Sequence, residues 1–466
     1  MARERLSAQD SVLFCSQAAS ASLQIGALAL FEAGPLLDDD GHVRLDDLRE
    51  RLVDRLDAVP RFRQRLTRVP FDLDRPVWED DPRFDIAEHV RSTAIPAPGG
   101  PEELRGLVSR LLETPLDADR PLWELWFVEG VEDDRVGVVV KASHVMADGM
   151  ALLEFALTLL DADPDGEERP HSRWRPAPTA GSAVLTAEAM RHRGGDLLSL
   201  AGRSLRAMVR PDRVTGELRV LTQAAMTMLT RAPALPVTAP VGGRRDFAWL
   251  NLPLEKLERV KGAHDVTLND VVLAIVTGAL RHYLLARGDS VEGTRPRVLV
   301  PVSTHAPGTG AHGGDGTTNR FSFFTVTLPV LVDDPVVQLR AIHTETTQAK
   351  DEHQTSIVPA LFTIADLVPV ALLRGVAPPV IAHQPFVNLA VTNLPGSPTP
   401  LYLSGARLVD LHPFITVTGN LGAIIGVISY TDRLGVSITV DPDVVPDLDA
   451  LVEAIEIASA ELISQG

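Results

Sequence analysis

Val138-Val139-Val140-Lys141-Ala142-Ser143-His144-Val145-Met146-Ala147-Asp148-Gly149 is an apolar run that breaks into a short polar loop, and a helix is expected to follow over Met150 to Leu160. A strand end can hold a side chain rigidly beside a cleft. The spacing His144-x-x-x-Asp148-Gly149 puts an imidazole at that end and a carboxylate on the turn, with Gly149 free to take a backbone angle closed to other residues. Asp148 then braces the loop, and His144 is the candidate general base, since a neutral imidazole with a reference pKa of about 6.5 can accept a proton at cellular pH. The plain alternative is a buried histidine satisfied by hydrogen bonds, the commoner state of a histidine taken without context.

On either side of this stretch, helix-like and strand-like segments alternate. Leu45 to Leu56 and Glu102 to Glu113 have helical period, and Leu122 to Val128 and Arg135 to Ala142 read as strands, which predicts an α/β layer. From about Asp161 the composition shifts to proline and then to a helical region rich in Arg, Leu and Met, closing in the loop Pro233 to Gly243. A second α/β series restarts with the strand Asp246 to Leu252 and the helices Leu254 to Ala263 and Asn269 to Leu285. The strands Arg297 to Val302, Phe321 to Leu328, Val387 to Thr392, Ala423 to Tyr430 and Leu434 to Val440 follow, and the helix Leu448 to Ile463 ends it. At 466 residues with 45% apolar content, two packed domains are expected. They are drawn as residues 1–180, a largely helical crossover over 181–245, and residues 246–466.

The formal charge of −18 repels phosphate backbones, so nucleic acid is excluded as a partner and any membrane contact must be local. The single cysteine, Cys15, rules out a disulfide framework and suits a cytoplasmic protein. Ser11 to Phe31 is uncharged, yet Ser16, Gln17, Ser20, Ser22 and Gln24 interrupt it, so buried strand or helix is expected there rather than a signal or membrane segment. Asp366, Arg374 and His383 divide the apolar region between Ile357 and Ala390 into pieces too short to span a bilayer.

Further segments stand in order along the chain: Leu6-Ser7-Ala8-Gln9-Asp10, Pro60-Arg61-Phe62-Arg63-Gln64-Arg65-Leu66, Phe84-Asp85-Ile86-Ala87-Glu88-His89-Val90, Pro121-Leu122-Trp123-Glu124, Leu268-Asn269-Asp270-Val271-Val272-Leu273-Ala274, Pro301-Val302-Ser303, Asn319-Arg320, Thr392-Asn393-Leu394-Pro395-Gly396 and Ser429-Tyr430. With Ser143 to Gly149, which resembles the HHxxxDG signature of the coenzyme A-dependent acyltransferase superfamily, they make the chain similar to the bacterial wax ester synthase/diacylglycerol acyltransferases over most of its length. The resemblance implies two chloramphenicol-acetyltransferase-like α/β domains with a tunnel at their interface. It implies transfer of a fatty acyl group from acyl-CoA, as substrate rather than cofactor, to diacylglycerol or a long-chain fatty alcohol. It carries the base onto His144 and the structural aspartate onto Asp148, with Gly149, Asn269, Asp270 and Arg320 in support and Arg320 nominated as the partner of Asp148. Pro121, Leu122, Trp123, Ser303 and Asn393 are placed along the substrates.

Bland readings stand beside these. Trp123 serves equally as a core anchor, Asn269 and Asp270 as helix caps, and Asn393 to Gly396 as a turn. One departure from the signature matters: its first histidine is Ser143 here. That keeps two rivals open, a lipid-binding pseudoenzyme without chemistry and an acyltransferase acting on a polyketide or carrier-bound acceptor. Gly308-Thr309-Gly310-Ala311-His312-Gly313 spells a dinucleotide fingerprint, but a strand rather than a helix is expected after it. No GxSxG elbow and no HExxH cluster occurs, so neither an acyl-serine route nor a metal is implied. Arg191, Arg193, Arg203, Arg206, Arg210, Arg213 and Arg219 among leucines and methionines form either a solvated face or a helix lying on a membrane or lipid droplet.

Overall fold

Two six-stranded sheets organise the chain in a computed structural model that describes residues 3–16, 23–146, 149–166, 170–209, 231–303, 321–351 and 370–466. The strands are β1 (Gln24–Glu32), β2 (Gln64–Thr67), β3 (Val77–Asp80), β4 (Val90–Ala94), β5 (Trp123–Val131), β6 (Arg135–Ser143), β7 (Asp246–Pro253), β8 (Arg297–Ser303), β9 (Phe321–Thr327), β10 (Leu389–Leu394), β11 (Tyr402–Leu403), β12 (Ala406–Ile415), β13 (Ala423–Tyr430) and β14 (Arg433–Val440). The helices are α1 (Ala8–Ser16), α2 (Leu45–Arg55), α3 (Pro101–Glu113), α4 (Gly149–Leu159), α5 (Ser182–Val209), α6 (Leu254–His264), α7 (Leu268–Ala286), α8 (Pro335–Asp351), α9 (Val370–Ala382) and α10 (Leu448–Ile463). The uncharged N-terminal stretch contains α1 and β1, as its interrupting polar residues suggest.

The first sheet has the order β11-β12-β1-β6-β5-β4 and the second β7-β14-β13-β10-β8-β9. β11 and β12 come from late in the chain yet complete the first sheet, with β12 antiparallel to β1. Sheet membership therefore crosses the chain division at residue 246. β12 also presses on the second sheet: a Cβ added to Gly435 of β14 would lie 2.0 Å from the Leu411 carbonyl oxygen. Only glycine admits so close a backbone approach. Asp410 ties the same seam, receiving Arg135 of β6 at 3.1 Å, Asn251 of β7 at 2.9 Å, and Arg433 of β14.

Hydrophobic period sets the layers. α2 carries Asp46 and Asp47 in its first turn and Arg55 in its last, where the helix dipole favours each sign, and buries Leu48 and Leu52. Its Arg55, fully buried, grips Asp161 just past α4 at 2.6 and 2.8 Å. Burial alone would raise the Asp161 carboxyl; the guanidinium groups of Arg55 and Arg51 hold it below the usual range instead. α7 is apolar on nearly every face because it is wrapped by the second sheet, α8 and α10. It is long and apolar enough to cross a membrane, and most of it is buried in this core.

Candidate active site

At one end of the first sheet four chain segments are joined in a row. The Thr416 N–H donates to the Gln24 carbonyl at 2.9 Å and the Thr416 hydroxyl oxygen accepts from the Gln24 N–H at 2.8 Å. Gln24 pairs with Ser143, and the Ser143 N–H donates to the Leu122 carbonyl at 2.9 Å. One residue further, the His144 N–H donates to the Leu23 carbonyl at 3.0 Å. The candidate base thus has its backbone fixed where β6 ends, beside a row that reaches the crossover strand β12. His144 is partly exposed, whereas Ser143 is buried.

β6 alternates as a two-sided strand should. Val138, Val140 and Ala142 enter the core that holds α2 and α4, while Val139 joins the leucines of α3. Lys141 has the parity of Val139 and is fully buried; its ammonium donates to the Leu111 and Thr114 carbonyls at the C-terminal end of α3, at 3.1 and 3.0 Å, and pairs with Glu124 at 3.1 Å. Burial pushes the Lys141 ammonium below its usual range, and Glu124 opposes that shift. The Gln24 side chain donates to the same Thr114 carbonyl at 3.0 Å. None of Lys141, Gln24 or Thr416 was singled out by sequence pattern, although one charge inside a valine strand is a visible signal for Lys141.

The far side of the loop is held by α4. Gly149 is the first residue of that helix. Phe155 of α4 stacks on Phe62 at 3.5 Å and meets Trp123 edge-on at 5.6 Å. Trp123 is fully buried, donates its indole N–H to the Phe62 carbonyl at 2.8 Å, and stacks on His89 at 4.7 Å. Pro121 and Leu122 are buried as well. The contacts of Trp123 are those of a core anchor that joins the motif strand to the motif helix. Asp148 lies outside the described residues, and so does Arg320, the partner nominated for it.

Of the second-half residues, Asp270 is locked in place. Thr267 caps α7 and forms a reciprocal capping box with Asp270, so Asp270 takes part in the cap as expected while Asn269, the second residue of the helix, is part-buried and is not the N-cap. Asp270 also receives the Thr346 hydroxyl at 2.6 Å and lies 2.8 Å from His343 Nδ1, both on α8. Burial would raise its carboxyl; the bonds from Thr346, His343 and Thr267 hold it below the usual range. Ser303 closes β8, and Asn393 stands near the same end of its parallel neighbour β10. Gly396 beyond it touches β13, donating its N–H to the Ser429 hydroxyl at 3.1 Å. Among the described residues no group of three or more His, Cys, Asp or Glu is arranged to hold a metal. Burial raises the Cys15 thiol, which suits a core residue rather than a nucleophile. The glycine-rich 308–313 segment lies outside the described residues.

Two mixed sheets, joined by a strand that crosses from one half of the chain to the other, have the chloramphenicol-acetyltransferase-like architecture. Condensation domains share the architecture: the first condensation domain of the CDA synthetase superposes with a TM-score of 0.62 at 15% identity, covering 99% of this chain and 96% of that one. Residues 6–272 match the wax ester synthase/diacylglycerol acyltransferase catalytic domain and residues 317–462 the WS/DGAT C-terminal domain. The chain belongs to the wax ester synthase/diacylglycerol acyltransferase family. It is similar to a probable diacylglycerol O-acyltransferase of Mycobacterium tuberculosis, 33% identical over 446 residues that cover 95% of this chain and 92% of that protein. It is also similar to the solved wax ester synthase/diacylglycerol acyltransferase from Marinobacter aquaeolei VT8, with a TM-score of 0.69, 25% identity and 98% of each chain covered.

Proposed function

We propose that this acyltransferase moves a fatty acyl group from acyl-CoA to the hydroxyl of diacylglycerol, with a long-chain fatty alcohol as a second acceptor, and that His144 is the general base. The observation that carries the reading is His144 itself: a partly exposed residue whose backbone is pinned by Leu23 where β6 ends, within the segment that matches the family's catalytic domain. The names of the similar proteins support diacylglycerol as the acceptor.

The two reactants meet across the seam between the sheets. His144 takes the hydroxyl proton as the alcohol oxygen attacks the thioester carbonyl, and the resulting imidazolium returns a proton to the departing coenzyme A thiolate, so the proton count closes without an acyl-enzyme. Asp148 braces the loop. Asn393 and Ser303 line the substrate path from the second sheet, and Trp123, Lys141 and Asp270 position the elements that carry the site. Chemistry on a lipid alcohol suits a cytoplasmic protein in peripheral contact with the inner membrane or a lipid droplet.

The test is a panel of acceptors offered to the purified protein with palmitoyl-CoA, with free thiol release and product mass both followed. Triacylglycerol from diacylglycerol, and wax ester from hexadecanol, are the expected products. Thiol release with only a carrier-bound or polyketide hydroxyl would overturn the acceptor assignment.

A further inference from the structure

α9 is apolar around its whole circumference except at Arg374, a composition that belongs in a core or in lipid. Only one side of it is covered. Val370, Leu373 and Ala377 pack on Val12 and Cys15 of α1, whereas Leu372, Val376 and Val380, one turn apart from each other, are each more than half exposed. Two neighbours extend the patch. The turn Pro70–Asp72 meets α9 through the Arg374–Asp72 ion pair at 2.7 Å and presents Phe71 at 88% exposure, with Leu73 beside it. Phe71 and Asp72 both sit in the left-handed region, at φ 60° and 49°, which is costly for a bulky residue and holds the ring outward. α5 abuts this turn, Arg193 donating to the Leu73 carbonyl at 3.4 Å, and exposes Val184 and Met190.

The charges around the patch run against the −18 of the whole chain. Its carboxylates carry cationic partners: Asp72 is paired with Arg374, Asp74 with Arg5 and Arg193, and Glu188 shares Arg3 with Glu79. Arg68 and Arg191 remain exposed at the rim. At 13 residues α9 is about 20 Å long, too short to cross a hydrocarbon core of about 30 Å. An apolar helix of that length with arginines at its edge fits the surface of a bilayer.

We infer that α9, the Phe71 turn and the start of α5 form a docking face for a lipid surface with anionic headgroups. The inference deepens the lipid-acceptor reading by naming the part of the fold that meets the lipid.

Full-length protein is floated with vesicles of phosphatidylcholine alone and of phosphatidylcholine with phosphatidylglycerol. The wild type should bind the anionic vesicles, less so in high salt. Leu372→Asp/Val376→Asp should bind them roughly tenfold more weakly or worse at an unchanged thermal midpoint, because the replaced side chains face solvent. Arg68→Glu/Arg191→Glu should lose the preference for anionic vesicles. Wild type that stays unbound, or apolar-face variants that bind equally, overturns the inference, as does a concentration-dependent dimer abolished by Leu372→Asp/Val376→Asp, which would assign the face to a second copy. Thiol release with a water-soluble alcohol is measured in parallel and should be equal in wild type and variants. Its absence from the wild type would sink the acyltransfer reading while leaving the flotation result intact.

Discussion

Ser143, which replaces the first histidine of the signature, and Lys141 share one face of β6. Both are buried behind the loop, Ser143 paired to Gln24 and Lys141 bonded to the end of α3, so this side of β6 is a scaffold on which His144 is mounted. Lys141→Met should lower stability by about 3–5 kcal/mol, since it removes the cation paired with the Glu124 carboxylate and the ammonium donor of the Leu111 carbonyl. Lys141→Met/Glu124→Leu should recover most of that loss, because an apolar pair of similar volume avoids the unpaired charge. Urea denaturation of the two single variants and the double closes the cycle; a double variant no more stable than Lys141→Met would refute the pairing. The place of His144 just past the end of β6 was legible in the sequence from the apolar run that leads to it. Lys141 was not, because one letter in a valine run does not say whether its head finds carbonyls or water.

Elements with an unmixed period were legible: α2, α3, α7, α10 and strands β6 to β8 and β13 to β14 lie within a residue or two of where their patterns place them, and β5 runs three residues beyond its expected end. β12 was not, and its side chains give the reason. Its alternation buries Ala406, Leu408, Asp410, His412 and Phe414, so two of five inward positions are polar, and Pro413 argues against a central strand. The buried polar residues are the ones that tie the two sheets, and what makes the strand structural also hides it. α7 shows the opposite case: its Asn269-Asp270 start reads as a cap, while the bonds from α8 are visible only in three dimensions. Asp270→Ala removes the capping box and the contacts of α7 with Thr346 and His343 of α8. It should cost about 2–4 kcal/mol, read as a lower thermal midpoint. A loss no larger than that of an exposed cap, about 1 kcal/mol, would mean that the α8 bonds contribute nothing.

The whole molecule is joined by a strand with a liability. His412 is fully buried on β12, opposite Leu28 of β1 and beside the Trp249 ring, with neither ring nitrogen hydrogen-bonded, and burial pushes its pKa down to about 4. The unfolded chain takes up a proton at His412 below about pH 6.5, and the folded chain only below about 4. Stability is therefore lost as the pH falls through that window, by up to about 3 kcal/mol from this group. His412→Leu should flatten the pH dependence of stability between those limits; an unchanged slope would show that the ring is solvated in the native state.

The proposed acyl transfer depends on a single proton transfer to His144 at the end of β6. The most direct measurement is the rate of coenzyme A thiol release from palmitoyl-CoA in the presence of diacylglycerol, by wild type and by His144→Ala brought to equal folded concentration. The account predicts a drop in turnover of roughly 10²–10⁴-fold with KM for acyl-CoA little changed. Turnover retained within roughly threefold, well short of what a general base contributes, would contradict it.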